Sequence, residues 1–185
     1  YTIYVNGIIE NGADGGSIRV KSNKSIIGIG TTAFMNGVGF TINGYNNIII
    51  RNIHLRGAGR NDGNTTNGLS IVYSGNILVD SVVISGFQKS GLFFYSSVNS
   101  IAQYVHAFSN GYAGISIDGE YQEYNSHDIT LRGCLAENNP GDPSNLENHS
   151  GSGIVAGSCR KITIEFCAAT NNGWDMPRKG NGPVG

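Results

Sequence analysis

"GFTINGYNNIIIRNIHL", residues 39 to 55, holds a glycine-started apolar run of four residues, an Asn-Gly turn, and a longer run in which isoleucines sit between Asn and Arg. Short runs rich in β-branched residues and fenced by Gly and Asn read as strands. One strand would account for one run, but this sentence recurs. The glycine-started strand returns as "GLSI" (68 to 71), "GLFF" (91 to 94), "GISI" (114 to 117) and "GIVA" (153 to 156). The longer run returns as "NILVDSVVI", "SIAQYVHAF", "DITLRGCLA" and "KITIEFCAA". Two successive glycine-to-glycine spacings, Gly68 to Gly91 and Gly91 to Gly114, are 23 residues, while Gly39 to Gly68 is 29 and Gly114 to Gly153 is 39. A unit of this length with variable insertions marks a solenoid.

No single unit can bury its own apolar face, so the units must stack as parallel strands about 4.8 Å apart. In that register Ile48, Ile77, Ile101, Ile129 and Ile162 form one expected interior column, and Ile53, Val82, His106, Cys134 and Cys167 a second. Gln103 falls inward with Ile50, Val79, Leu131 and Ile164, and His106 becomes a core histidine. Asn110, Asn138 and Asn171 follow the second apolar pair at one step and are expected to form a stacked asparagine ladder. Cys134 and Cys167 are expected to be buried, stacked thiols rather than a disulfide, because in-register parallel neighbours run side by side. The fold class is all-β: a single-stranded right-handed parallel β-helix of about five to six coils, with residues 1–185 as one domain.

Composition agrees. The 185 residues are 39% hydrophobic and 14% charged, with 28 glycines, a balance that suits turns and short strands rather than helical bundles. A net charge of −1 gives no field for nucleic acid or an anionic membrane, and no apolar stretch approaches the roughly 18 residues of a membrane span. Three cysteines are too few for a disulfide scaffold and fit no metal-ligand spacing.

"SNKSIIGIG", "NIIIRNI" and the surrounding residues 1 to 87 resemble the opening coils of pectate lyases, and "GSGIVAG" with "CAATNNGWDMPRKGNGPVG" resembles secreted bacterial β-helix proteins. The resemblance implies an extracellular, secreted or cell-surface, polysaccharide-active protein with calcium as cofactor. It implies calcium-binding carboxylates beside the short strands of neighbouring coils and an arginine base a coil or so beyond. Those positions fall on Asn67 and near Lys89 and Phe93, with no Asp or Glu between Asp80 and Asp118 and no Arg between Arg60 and Arg132. The family's calcium cluster and catalytic arginine are therefore not matched.

Insertions gather at one corner, before the short strands, at residues 56 to 67, 137 to 152 and 170 to 182. A swollen turn, "DGEYQEYNSHD" (118 to 128), stands on the other side. Together they are expected to wall a groove floored by Thr41, Ser70, Phe93, Ser116 and Val155, shaped for an extended polysaccharide. Candidate catalytic groups are Asp118, Glu120, His127, His149, Arg178 and Lys179, which supply carboxylate, imidazole and cationic chemistry. Candidate substrate contacts are Arg60, Phe93, Ser116, Tyr121, Trp174 and Asp175. Each also has a plain reading as a solvated turn or a loop packing on itself. A second function class stays open on the same residues, a non-catalytic structural or adhesive module. "GNGPVG" stops where another short strand is due, so further coils C-terminal to Gly185 are expected as a partner for the last coil.

Overall fold

A computed structural model describes residues 1–10, 16–58, 66–141 and 151–173. Among the described residues twenty strands wind through three sheets, and every pairing between them is parallel. The first sheet stacks β1 (Thr2–Val5), β4 (Lys24–Gly28), β7 (Asn46–Arg51), β10 (Gly75–Asp80), β13 (Val98–Gln103), β16 (Ser126–Arg132) and β19 (Cys159–Glu165). The second stacks β2 (Ile8–Glu10), β5 (Phe34–Asn36), β8 (His54–Arg56), β11 (Val83–Ser85), β14 (His106–Phe108), β17 (Leu135–Glu137) and β20 (Ala168–Thr170). The third holds β3 (Gly16–Arg19), β6 (Val38–Asn43), β9 (Leu69–Val72), β12 (Leu92–Tyr95), β15 (Ala113–Asp118) and β18 (Ser152–Ala156). This is a right-handed parallel β-helix, with six complete coils and two strands of a seventh among the described residues.

The nine-residue runs read as one strand are each two strands, in different sheets. Between them sits a left-handed residue: Asn52, Ser81, Tyr104, Gly133 or Phe166, with φ of 54°, 54°, 53°, 59° and 55°. That bend explains how Ile48 and Ile53, an odd number of residues apart, both point inward and are buried. Inter-coil bonds hold the bend, for example Asn52 N–H to Asp80 O at 3.0 Å and Tyr104 N–H to Arg132 O at 2.9 Å.

The coil through β13 lies one residue away from the expected register. Ile48 pairs with Ile77, but the next interior position is Ser100, opposite Ile129, while Ile101 pairs outward with Leu78 and is 42% exposed. Ser100 belongs inside because its hydroxyl is satisfied locally: Oγ donates to Val98 O at 2.8 Å and accepts Ile77 N–H at 3.3 Å. The same shift makes Ala102, not Gln103, the partner of Val79 and Leu131, and puts Val105, not His106, in the core. His106 faces outward on the second sheet, between Val83 and Leu135.

The interior amides also differ by one residue from the expected set. Asn110, Asn139 and Asn172 are the linked side chains: Asn110 Nδ2 donates to Asn139 Oδ1 at 3.1 Å, and Asn139 Nδ2 to Asn172 Oδ1 at 2.9 Å. The same Oδ1 atoms accept the backbone N–H of Asn110 and Asn139, at 3.0 and 3.1 Å. Asn138 and Asn171 are exposed and left-handed, with φ of 49° and 53°, aligned with Ser109 at 55°. The left-handed step is made by the first residue of each pair, which leaves the second to enter the core. At the corner leading into the first sheet, Ser74, Ser97 and Ser126 form a buried hydroxyl stack, with Ser97 N–H donating to Ser126 Oγ at 3.1 Å. Cys134 and Cys167 occupy neighbouring coils as free thiols, Cys134 buried and Cys167 partly so.

Candidate functional site

On the third sheet, alternation sends every second residue outward. Arg19, Thr41, Ser70, Phe93, Ser116 and Val155 pair in register as one column of the third sheet. Ser116 is buried within it; Thr41, Ser70, Phe93 and Val155 are partly exposed. Two residues on, Tyr95 stands in register between Val72 and Asp118.

Phe93 begins an aromatic line. Its ring centroid is 5.8 Å from that of Tyr95, and the Tyr95 ring meets Tyr73 edge-on at 5.9 Å. Tyr73 holds the left-handed corner position, φ 47°, so its ring projects from the coil at 46% exposure. Its hydroxyl donates to the Glu120 carboxylate, and this bond to an acceptor pushes the phenol up to about 12. The swollen turn thus closes onto the aromatic line. It contains one turn of 3-10 helix, Gln122–Tyr124, and presents Tyr121 and Tyr124 at 87% and 64% exposure.

The turn's carboxylates have distinct tasks. Asp118 Oδ1 accepts the N–H groups of Gly119 at 2.8 Å and Ser158 at 2.9 Å, which ties the turn to the next coil. Glu120 is exposed, anchored through its own N–H to Ser96 Oγ at 3.1 Å. His127 lies round the corner on β16, with Nδ1 2.7 Å from Asp128 Oδ2. That contact holds the Asp128 carboxyl below the usual carboxylate range. The structure therefore brings Glu120, Tyr73, Tyr95 and Phe93 into one contiguous surface with Tyr121 on the same turn, and it commits Asp118 to the backbone. Arg60, His149, Trp174, Asp175, Arg178 and Lys179 lie outside the described residues.

A calcium site of the pectate-lyase kind does not fit here. Asn67, at the first carboxylate position, gives its Oδ1 to the N–H of Ser90 at 3.0 Å, and Lys89 occupies the following coil. Among the described residues no three His, Cys, Asp or Glu side chains converge. A hard dication needs several anionic oxygens at one point.

Sequence reading missed the outer face of the second sheet. There Phe34 meets His54 edge-on at 4.3 Å, and His106 lies 4.9 Å from Phe108. His54 Nε2 is 3.2 Å from Ser85 Oγ and His106 Nε2 is 2.8 Å from Glu137 Oε1. Burial foremost, with Arg56 and His106 nearby, pulls the His54 imidazole below its ordinary value. The one-residue shift in the β13 coil hid this face, since it had sent His106 inward. Asn76 of β10 and Asn99 of β13, left-handed residues at one register position, carried the correct alignment.

The fold is that of a parallel β-helix protein, and the chain is similar in sequence to pectate lyases. Probable pectate lyase A of Aspergillus fumigatus is 34% identical over 113 residues, 60% of this chain and 33% of the relative. The Neosartorya fischeri protein of the same description is 33% identical over 113 residues, again 60% and 33% of the two chains. Pectate lyase A of Aspergillus niger is 28% identical over 99 residues, 54% of this chain and 29% of the relative. The chain spans about a third of the length of the curated relatives it matches. No family model matches it.

Proposed function

We propose that this β-helix binds an acidic plant-type polysaccharide along the outer face of its third sheet, as part of a secreted or cell-surface protein. The observation that carries the reading is the continuous aromatic line Phe93, Tyr95 and Tyr73 with Tyr121 on the adjoining turn. Sugar rings stack on such faces, while Glu120 and Ser70 offer acceptors and donors at the rim. Coils stack at about 4.8 Å, so a groove running across them presents a repeating surface to a repeating polymer. Similarity to pectate lyases supports the choice of polymer.

Binding without the calcium-and-arginine elimination is the form of activity these residues support. Asn67 and Lys89 supply neither the charge nor the free oxygens that such a reaction needs. A second reading is cleavage by an acid and base. It draws on the pair in which the Tyr73 phenol donates to the Glu120 carboxylate beside the aromatic line. One panel separates the two: polygalacturonate and neutral glycans are mixed with the protein, with and without chelator. Retention on polygalacturonate and absorbance of unsaturated products are both recorded. The proposal expects chelator-insensitive retention and no product. Product that disappears with chelator contradicts it, and chelator-insensitive product supports the second reading.

A further inference from the structure

A cleft of about 270 Å³ opens on the second sheet, lined by Glu10, Asn36, Gly37, Arg56, Gly57 and Ala58. It is separate from the third-sheet groove. Glu10, Asn36 and Arg56 occupy one register column on three successive strands. Two strand spacings put the backbones of its ends roughly 10 Å apart. Arg56 is exposed and has no carboxylate partner among the described residues. Two other arginines of the outer surface are paired, Arg51 with Asp80 at 2.8 Å and Arg132 with Glu165 at 2.5 Å, whereas Arg19, like Arg56, has no carboxylate partner among the described residues. Gly57 lets the next coil approach closely beneath the cleft, because a Cβ there would meet Gly86 O at 2.4 Å.

Among the described residues the lining has no aromatic or large aliphatic side chain, so the cleft suits a ligand that is polar throughout. One lip is a guanidinium, built for a carboxylate in a planar, two-bond contact. The other lip is a carboxylate that accepts from hydroxyls, and Asn36 between them does both. The volume lies near the lower end of the roughly 300–1,000 Å³ of ordinary ligand pockets, the scale of a single ring rather than a chain. We propose that this cleft is a binding site for a polyhydroxylated carboxylate, a single sugar-acid unit, held by Arg56 through its carboxylate and by Glu10 and Asn36 through its hydroxyls.

His54 reports on occupancy. It shares the outer face of β8 with Arg56, and the Arg56 charge helps to hold its imidazole below the ordinary value. His106 and Glu137 are the other titratable groups facing it across β11, and Glu10 lies beyond β5. A bound carboxylate neutralises Arg56, so the His54 midpoint must rise. The test follows the imidazole resonance of His54 by NMR through pH 5 to 8 with glucuronate, glucose, acetate or inorganic phosphate. Expected are an upward shift with glucuronate, none with glucose, and at least about tenfold weaker response to acetate and phosphate. Arg56→Gln abolishes the response and Glu10→Gln weakens it, while Phe93→Ala, in the groove, leaves it intact. An unmoved His54, an equal response to glucose, survival of the response in Arg56→Gln, or its loss in Phe93→Ala would overturn the site.

Discussion

Asn138 and Asn139 are adjacent and do opposite things. Asn139 is buried and binds backbone and amide groups on both neighbouring coils, whereas Asn138 is exposed and supplies a left-handed turn. Asn139→Ala strands buried donors on Asn110 and the carbonyl of Ala107, at about 1–3 kcal/mol for each orphaned group. Chemical denaturation should show a loss of at least about 2 kcal/mol. Asn138→Gly, which keeps the left-handed step, should stay within about 0.5 kcal/mol of wild type. The sequence could not separate these two roles because both coils write Asn-Asn. Ser109-Asn110 does separate them, since only its second residue has an amide to stack. At the rim of the groove, Tyr73 is expected to ionise near pH 12, and Glu120→Gln should return it toward 10.0 in an ultraviolet titration, since the raised value comes first from that hydrogen bond.

At the level of the strand, the apolar repeat was legible and the bend inside it was not. Hydrophobic alternation reports which residues are buried but not where a single left-handed residue moves the chain to a new sheet, because Ser81, Tyr104 and Phe166 are not residues that advertise such a conformation. In that column only Asn52 and Gly133 do, and Gly133 is the more demanding of the two. Adding a methyl there would strain a φ of 59° and press on the Tyr104 ring at 2.9 Å. Gly133→Ala should therefore cost about 1–2 kcal/mol in a denaturation midpoint experiment. The slip at β13 has a different cause: matching Ile101 to the isoleucine column was the obvious alignment, and only a self-satisfied inward Ser100 defeats it. On the second sheet, His54 binds its proton less readily when folded than when free. Its contribution to stability is thus full above pH 6.5 and is lost as pH falls through the folded-state value. Melting curves of wild type should decline more steeply below pH 6.5 than those of His54→Gln.

For the whole molecule, the stacked architecture and the outward column Thr41, Ser70, Phe93, Ser116 and Val155 could be read from spacing alone, since each coil repeats one glycine-started strand in the same register. The contact between the swollen turn and the aromatic line could not, because Tyr73 and Glu120 are 47 residues apart and meet only when the coil between them, through Tyr95 and Ser96, is stacked. The central claim is that glycan lies on the third sheet and not on the similarly exposed apolar strip of the first. Affinity electrophoresis in gels containing polygalacturonate tests it most directly, using wild type, Phe93→Ala and Ile101→Ala, each checked for native circular dichroism. The account predicts about tenfold weaker retardation for Phe93→Ala, equivalent to about 1.4 kcal/mol, and wild-type retardation for Ile101→Ala. Unchanged retardation of Phe93→Ala, or loss confined to Ile101→Ala, would contradict it.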